Sequence, residues 1–279
     1  MTLTTSKRLS TRPENRIRAA SGLHGHRIGD HVVRSFAAEL IGTFVLVLAI
    51  ISTAIAATLA EPVAGASFNS LAVPIAGGFA LVVVVAGFGH ISGAHVNPAV
   101  TIGLALNRRF PGRLVATYLS AQFAGSVLAA LTAWLLFGSK GRVVAGLGAT
   151  VPAAGVGMGR VFAAEGIVTF ILVLVVLAVA TDGRVPQGVA AVAIGFALAT
   201  AIFISGPITG AGVNPARAFG PMIVAGKFTD WWIYLIAPIA GGACAATVYL
   251  GVLVGDATVK CQLRNPASEI QDPPVVRSR

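Results

Sequence analysis

Asn97 and Asn214 each head an Asn-Pro-Ala triplet, Asn97-Pro98-Ala99 and Asn214-Pro215-Ala216, and each triplet follows a long apolar run. A carboxamide donates hydrogen bonds to a passing oxygen but is neither a nucleophile nor a proton acceptor of useful strength. The chemistry these residues suit is recognition of an oxygen, not bond breaking. Arg217, three residues after Asn214, adds a permanent cation with several N–H donors. Glu39 and Glu165 lie inside apolar runs, where an ionisable group is costly and by default functional. In a transporter such an acid could couple protons. His90 and His95 bracket the approach to the first triplet, with packing as the plainer use of both. No nucleotide motif or pair of catalytic acids accompanies these residues, so no enzyme activity, cofactor or metal site is expected. Cys244 and Cys261 are the only cysteines, which supports neither a disulfide framework nor a thiolate metal site.

The local chemistry predicts how the asparagines are held. Proline fixes φ and lacks an N–H, so it suits a helix's first turn, and asparagine just before it is a strong N-cap. Each triplet therefore opens a helix. A helix over 215–225 would rise about 16 Å, roughly half of a hydrocarbon core of about 30 Å. It enters a membrane without crossing it. The lead-ins Gly93-Ala94-His95-Val96 and Gly210-Ala211-Gly212-Val213 are Gly-rich and read as non-helical backbone. Each asparagine could serve as a cap alone, but two copies at matching places argue for a shared function.

The whole chain supports a membrane setting. Of its 279 residues, 56% are hydrophobic and 11% charged, and the mean hydropathy is +0.84. Six apolar runs can span a bilayer: 35–60, 71–90, 114–137, 161–180, 185–205 and 231–255. A repeat organises them. Ala38-Glu39 and the run to Leu48 recur as Ala164-Glu165 and the run to Leu174, and Gly78-Phe79-Ala80-Leu81 recurs as Gly195-Phe196-Ala197-Leu198. Each half has three full spans, an odd number, so the second half lies inverted relative to the first. The predicted fold is all-α: six transmembrane helices plus two re-entrant half-helices whose N-termini face each other near the midplane. Non-helical backbone at that depth must be buried in protein or line a water-filled cavity.

The predicted organisation is a polar arm over 1–34, a channel domain over 35–255 with repeats at about 35–137 and 161–255, and a tail over 256–279. With that topology, Lys140, Arg142, Arg160, Arg217 and Lys227 fall on one side and the rest of the 20 lysines and arginines on the other. Both termini are therefore expected to be cytoplasmic. The formal charge of +10 follows from that orientation signal, and nucleic-acid binding is not expected. A transit peptide is the alternative reading of the Arg-rich arm, and a disordered cytoplasmic arm the preferred one.

The two triplets, the run Gly89-His90-Ile91-Ser92-Gly93-Ala94-His95, the segment Asn214-Pro215-Ala216-Arg217 and the paired Ala-Glu repeat starts closely resemble the aquaporin or major intrinsic protein family, over about residues 35–255. The resemblance implies a passive channel for water and small neutral solutes, a homotetramer in the cell membrane with one pore per subunit, and no cofactor. It implies that Glu39 and Glu165 brace the re-entrant loops, that His90 and His95 line or brace the cytoplasmic vestibule, and that the selectivity constriction is Gly77, Ile202, Ala211 and Arg217. That set lacks the aromatic and histidine of strict water channels and is similar to nodulin-like intrinsic proteins that pass glycerol, urea or metalloid hydroxides. Gly77 opposite Ile202 is expected to leave a gap and hence a wide pore. Ala211 stands where some relatives carry a mercurial-sensitive cysteine. Tyr234 ahead of Pro238 fits solute-conducting members, whereas Ala218 departs from the aspartate of glycerol facilitators. A strict water channel and an alternating-access transporter are the alternatives.

Overall fold

A computed structural model describes residues 31–59, 69–181 and 185–254. Residues 1–30 of the arm predicted over 1–34, the tail over 256–279, Arg184 and Cys261 lie outside the described residues, while residues 32–34 belong to the first helix. The helices run α1 (Val32–Leu59), α2 (Asn69–Ser92), α3 (Pro98–Leu106), α4 (Val115–Val143), α5 (Met158–Ala180), α6 (Gln187–Thr209), α7 (Pro215–Ala225) and α8 (Trp231–Val248), with a π-helix, Tyr249–Val254, continuing α8. Six of them are long and apolar enough to cross a membrane. The other two, α3 and α7, have 9 and 11 residues, too few at 1.5 Å per residue to cross. Both begin at the proline of an Asn-Pro-Ala triplet, with the asparagine as N-cap in extended conformation.

The repeat is visible in the packing. In the first half α1 lies on α2 and α4; in the second α5 lies on α6 and α8; and α2 meets α6 between them. The half-helices cross over, so that α3 packs mainly on α8, and α7 on α4. Where α4 crosses α1, a Cβ on Gly125 would collide with the carbonyl oxygen of Leu40, and where α8 crosses α5, a Cβ on Gly241 would collide with that of Gly166. Matching glycines thus allow close helix contact in both halves, the small-residue packing on which membrane helices rely. Large apolar side chains such as Phe79, Val83, Leu135 and Phe196 point outward, as a lipid-covered belt requires.

One span departs from the sequence pattern. The apolar run ends at 137, yet α4 continues past a kink at Gly138 (φ 60°, ψ −156°) to Val143. That last stretch returns Arg142 to the protein: its guanidinium lies 4.5 Å from the Trp134 ring centroid and its Nε donates to the Val224 oxygen at 3.1 Å. Val224 is in the last turn of α7, whose carbonyls carry the negative end of the helix dipole, so a cation there is favourable.

Candidate functional site

The two half-helix starts are tied to each other. The Asn97 side-chain oxygen accepts from Ala99 N at 2.9 Å, while its amide nitrogen donates to the Val213 oxygen at 3.2 Å. The Asn214 side-chain oxygen accepts from Ala216 N at 2.9 Å and Arg217 N at 3.3 Å, while its amide nitrogen donates to the Val96 oxygen at 2.8 Å. Each asparagine therefore caps its own helix and holds the loop that leads to the other. A carboxamide has two N–H groups, so one per asparagine is left after this pairing. The positive ends of two helix dipoles converge at the same place.

The lead-in loops hold unusual backbone. Gly93, Ala94 and Val96 have φ of 90°, 47° and 42°, and Gly210, Ala211 and Val213 have 75°, 54° and 56°. Non-glycine residues in the left-handed region are strained and persist only when the surroundings fix them. The fixing groups are the two buried glutamates. Glu39 accepts from Ser92 Oγ (2.7 Å), His95 N (2.9 Å), Val96 N (2.7 Å) and Gln122 Nε2 (2.7 Å). Glu165 accepts from Thr209 Oγ1 (2.6 Å), Gly212 N (2.9 Å) and Val213 N (2.6 Å). Loop amides that no lipid could satisfy are thus satisfied by carboxylates. Tyr118 and Tyr234 complete the pattern, each donating its hydroxyl at 2.7 Å to the carbonyl of Ser92 or Thr209.

The halves differ at Gln122, whose amide also donates to Thr101 Oγ1 at 3.0 Å. Thr101 Oγ1 in turn donates to the Asn97 backbone carbonyl at 3.1 Å, and His95 Nδ1 lies 3.2 Å from Thr101 Oγ1. With the hydroxyl proton used on Asn97, His95 Nδ1 is the donor in that contact. The His95 ring packs against Phe110 and Tyr118, at centroid distances of 4.8 and 5.0 Å. His95 is buried in this cluster, whereas His90 is exposed in the last turn of α2.

Gly77 and Ile202 face each other across α2 and α6. A Cβ on Gly77 would stand 2.7 Å from Ile202 Cδ1 and 3.2 Å from Ile50 Cγ1. The expected gap beside Gly77 is therefore occupied, because a flexible isoleucine end moves into space that a glycine leaves. Ala211 is buried in the second lead-in loop. Arg217, in the first turn of α7, is buried, and its NH1 donates to the Gly148 oxygen at 3.1 Å.

Ser92 and Thr209 stand five residues before their asparagines, and with Tyr118 and Tyr234 they match between the repeats; aligning the halves finds them. Gln122 and Gly148 join through contacts distant in sequence, for which no local signal exists. The arrangement offers hydrogen-bond donors and converging positive dipoles to an uncharged oxygen-bearing solute, and a buried cation beside the approach.

A family model described as major intrinsic protein matches residues 29–249 of the chain. The chain is 39% identical over 236 residues to a protein of Archaeoglobus fulgidus described as probable aquaporin AqpM, covering 78% of this chain and 96% of that protein. It is 38% identical over 225 residues to aquaporin NIP3-1 of Oryza sativa subsp. japonica, covering 81% and 70%. Among solved structures, the aquaglyceroporin from Plasmodium falciparum superposes with a TM-score of 0.71 at 26% identity, covering 80% of this chain and 97% of that one.

Proposed function

The chain belongs to the major intrinsic protein family, and on that premise we propose that it is a passive transmembrane channel that carries water and small uncharged solutes down their gradients and rejects ions and protons. The observation that carries this reading is the reciprocal pairing of Asn97 and Asn214 across two facing half-helix starts. A solute oxygen at that point meets the remaining amide donors of both asparagines, so a water there accepts hydrogen bonds and cannot relay a proton onward. Two converging dipoles and the Arg217 charge repel cations.

The constriction is assigned to Gly77, Ile202, Ala211 and Arg217. Its one polar side chain, Arg217, supplies donors, and the rest of the ring is small or apolar, which favours neutral solutes such as glycerol, urea or metalloid hydroxides beside water. Ile202 over Gly77 sets the width, and its Cδ1 end is what a solute larger than water has to displace. Glu39 and Glu165 hold the lead-in loops, and His95 braces the vestibule from within its aromatic cluster while His90 borders it.

The distribution of basic residues supports cytoplasmic termini, and family membership supports a homotetramer with one pore per subunit in the cell membrane. Stopped-flow light scattering on proteoliposomes, comparing water, glycerol, urea, boric acid and arsenite, tests the reading. Water and at least one of these solutes are expected to cross faster than in protein-free vesicles. Equal rates with and without protein for all five would overturn it.

A further inference from the structure

Between α4 and α5 the chain dips back into the protein at residues 145–149. Gly146, Leu147 and Gly148 take φ of 56°, 51° and 63°, three left-handed residues in succession. The turn is closed by Gly148 N to the Ala145 oxygen and Ala149 N to the Gly146 oxygen, both at 3.0 Å. Glycine enters that region freely; a leucine does so under strain. Leu147 is nonetheless there, with its side chain fully buried among Val47, Ile51 and Ile55 of α1 and Ala129 and Ala133 of α4. Gly148 is backed directly onto α1, since a Cβ on it would stand 3.2 Å from Ile51 Cα and from Ala54 Cβ. Its carbonyl is the acceptor for Arg217 NH1. Among the described residues Arg217 Nε has no hydrogen-bond partner, so the Gly148 carbonyl is a principal restraint on the guanidinium.

We infer that Leu147 is a positioning residue for solute selection: it anchors the left-handed turn between α1 and α4 so that the Gly148 carbonyl holds Arg217 at one place in the constriction. A strained residue retained at a buried seat points to a requirement on where the turn sits. The sequence marks nothing here, because the leucine is one apolar residue between two glycines. This inference rests on the channel reading and on Arg217 lining the pore.

The test is the glycerol-to-water permeability ratio in proteoliposomes with matched amounts of folded protein. Leu147→Gly keeps the left-handed turn without strain and removes the anchor, and Leu147→Ala removes the anchor alone. Both should raise the ratio at least threefold, because an untethered Arg217 widens the path more for the larger solute. Leu147→Met, of similar volume, and Leu177→Ala, which truncates an equally buried leucine at the far end of α5, should leave it within the error of the unaltered protein. Should both truncations fail to fold, Ile51→Val shortens the seat by one methyl and should raise the ratio in the same direction. An unchanged ratio in folded, water-conducting Leu147→Gly or Ile51→Val overturns the inference while the channel reading stands. Failure of the unaltered protein to conduct overturns the channel reading itself.

Discussion

Asn97 and Asn214 hold each other's loops: the first donates to the Val213 carbonyl at 3.2 Å and the second to the Val96 carbonyl at 2.8 Å. In each case the acceptor is the residue just before the other asparagine. The two halves of the chain are therefore joined by hydrogen bonds at the point where their dipoles meet, and a change at one asparagine is felt by the opposite loop.

Asn214→Asp separates capping from donation. A carboxylate still accepts from Ala216 N and Arg217 N, so α7 should start normally. It has no N–H for Val96 and puts a negative charge where two positive helix ends converge. Water flux should persist while cations and protons begin to leak, which a pH dye and a potential-sensitive dye in the same vesicles would register. A folded Asn214→Asp protein that stays tight to both ions would contradict the role given to that N–H.

Glu165→Gln tests the loop brace. The carboxylate serves Thr209 Oγ1 and Gly212 N through one oxygen and Val213 N through the other. A carboxamide has only one accepting oxygen, so at least one buried N–H loses its partner, at a cost of about 1–3 kcal/mol. The detergent-solubilised protein should melt at lower temperature, and water permeability per folded channel should fall. Unchanged melting and unchanged unit permeability would remove the brace from the account.

Ala211 has φ of 54° and is buried in the second lead-in loop. Cysteine adds one sulfur at a site that already tolerates a Cβ in this conformation. Mercury should barely affect the unaltered protein, whose Cys244 is exposed on α8, and should inhibit Ala211→Cys, with recovery on adding thiol. Strong inhibition of the unaltered protein, or none of the variant, would place Ala211 off the conduction path.

Ile202 and Gly77 compete for one space, so Gly77→Phe has to displace Ile202 Cδ1. The double substitution Gly77→Phe with Ile202→Val removes the methyl that the new Cβ would meet first, leaving Ile50 as its next neighbour. Glycerol or urea should then be slowed far more than water, and each 1.4 kcal/mol of added barrier difference lowers the flux ratio about tenfold. An unchanged solute-to-water ratio in folded, water-conducting protein would show that these two residues do not set the width.

Much of this was legible in the sequence because its signals are local. Proline at N1 and asparagine before it fix where α3 and α7 start, and the sixfold apolar pattern with its repeat yields the spans and the inversion. Glu39 and Glu165 stood out because a carboxylate in an apolar run is rare. Three features were hidden for a common reason. The Gly138 kink, the left-handed turn at Leu147 and the packing of Ile202 over Gly77 depend on what lies opposite in space, and glycine or leucine in an apolar setting carries no mark of it. Glycine at 77 read as an opening, and the structure fills it from another helix.

The central claim is passive conduction of water past a point that stops protons, and one measurement addresses it most directly. Osmotic water flux and internal pH are followed together in the same proteoliposomes, across a range of temperatures and without any ion gradient. The account predicts fast water flux with weak temperature dependence and no proton flux above that of protein-free vesicles. Proton flux that rises in step with water flux, or transport that requires an ion gradient, would contradict it.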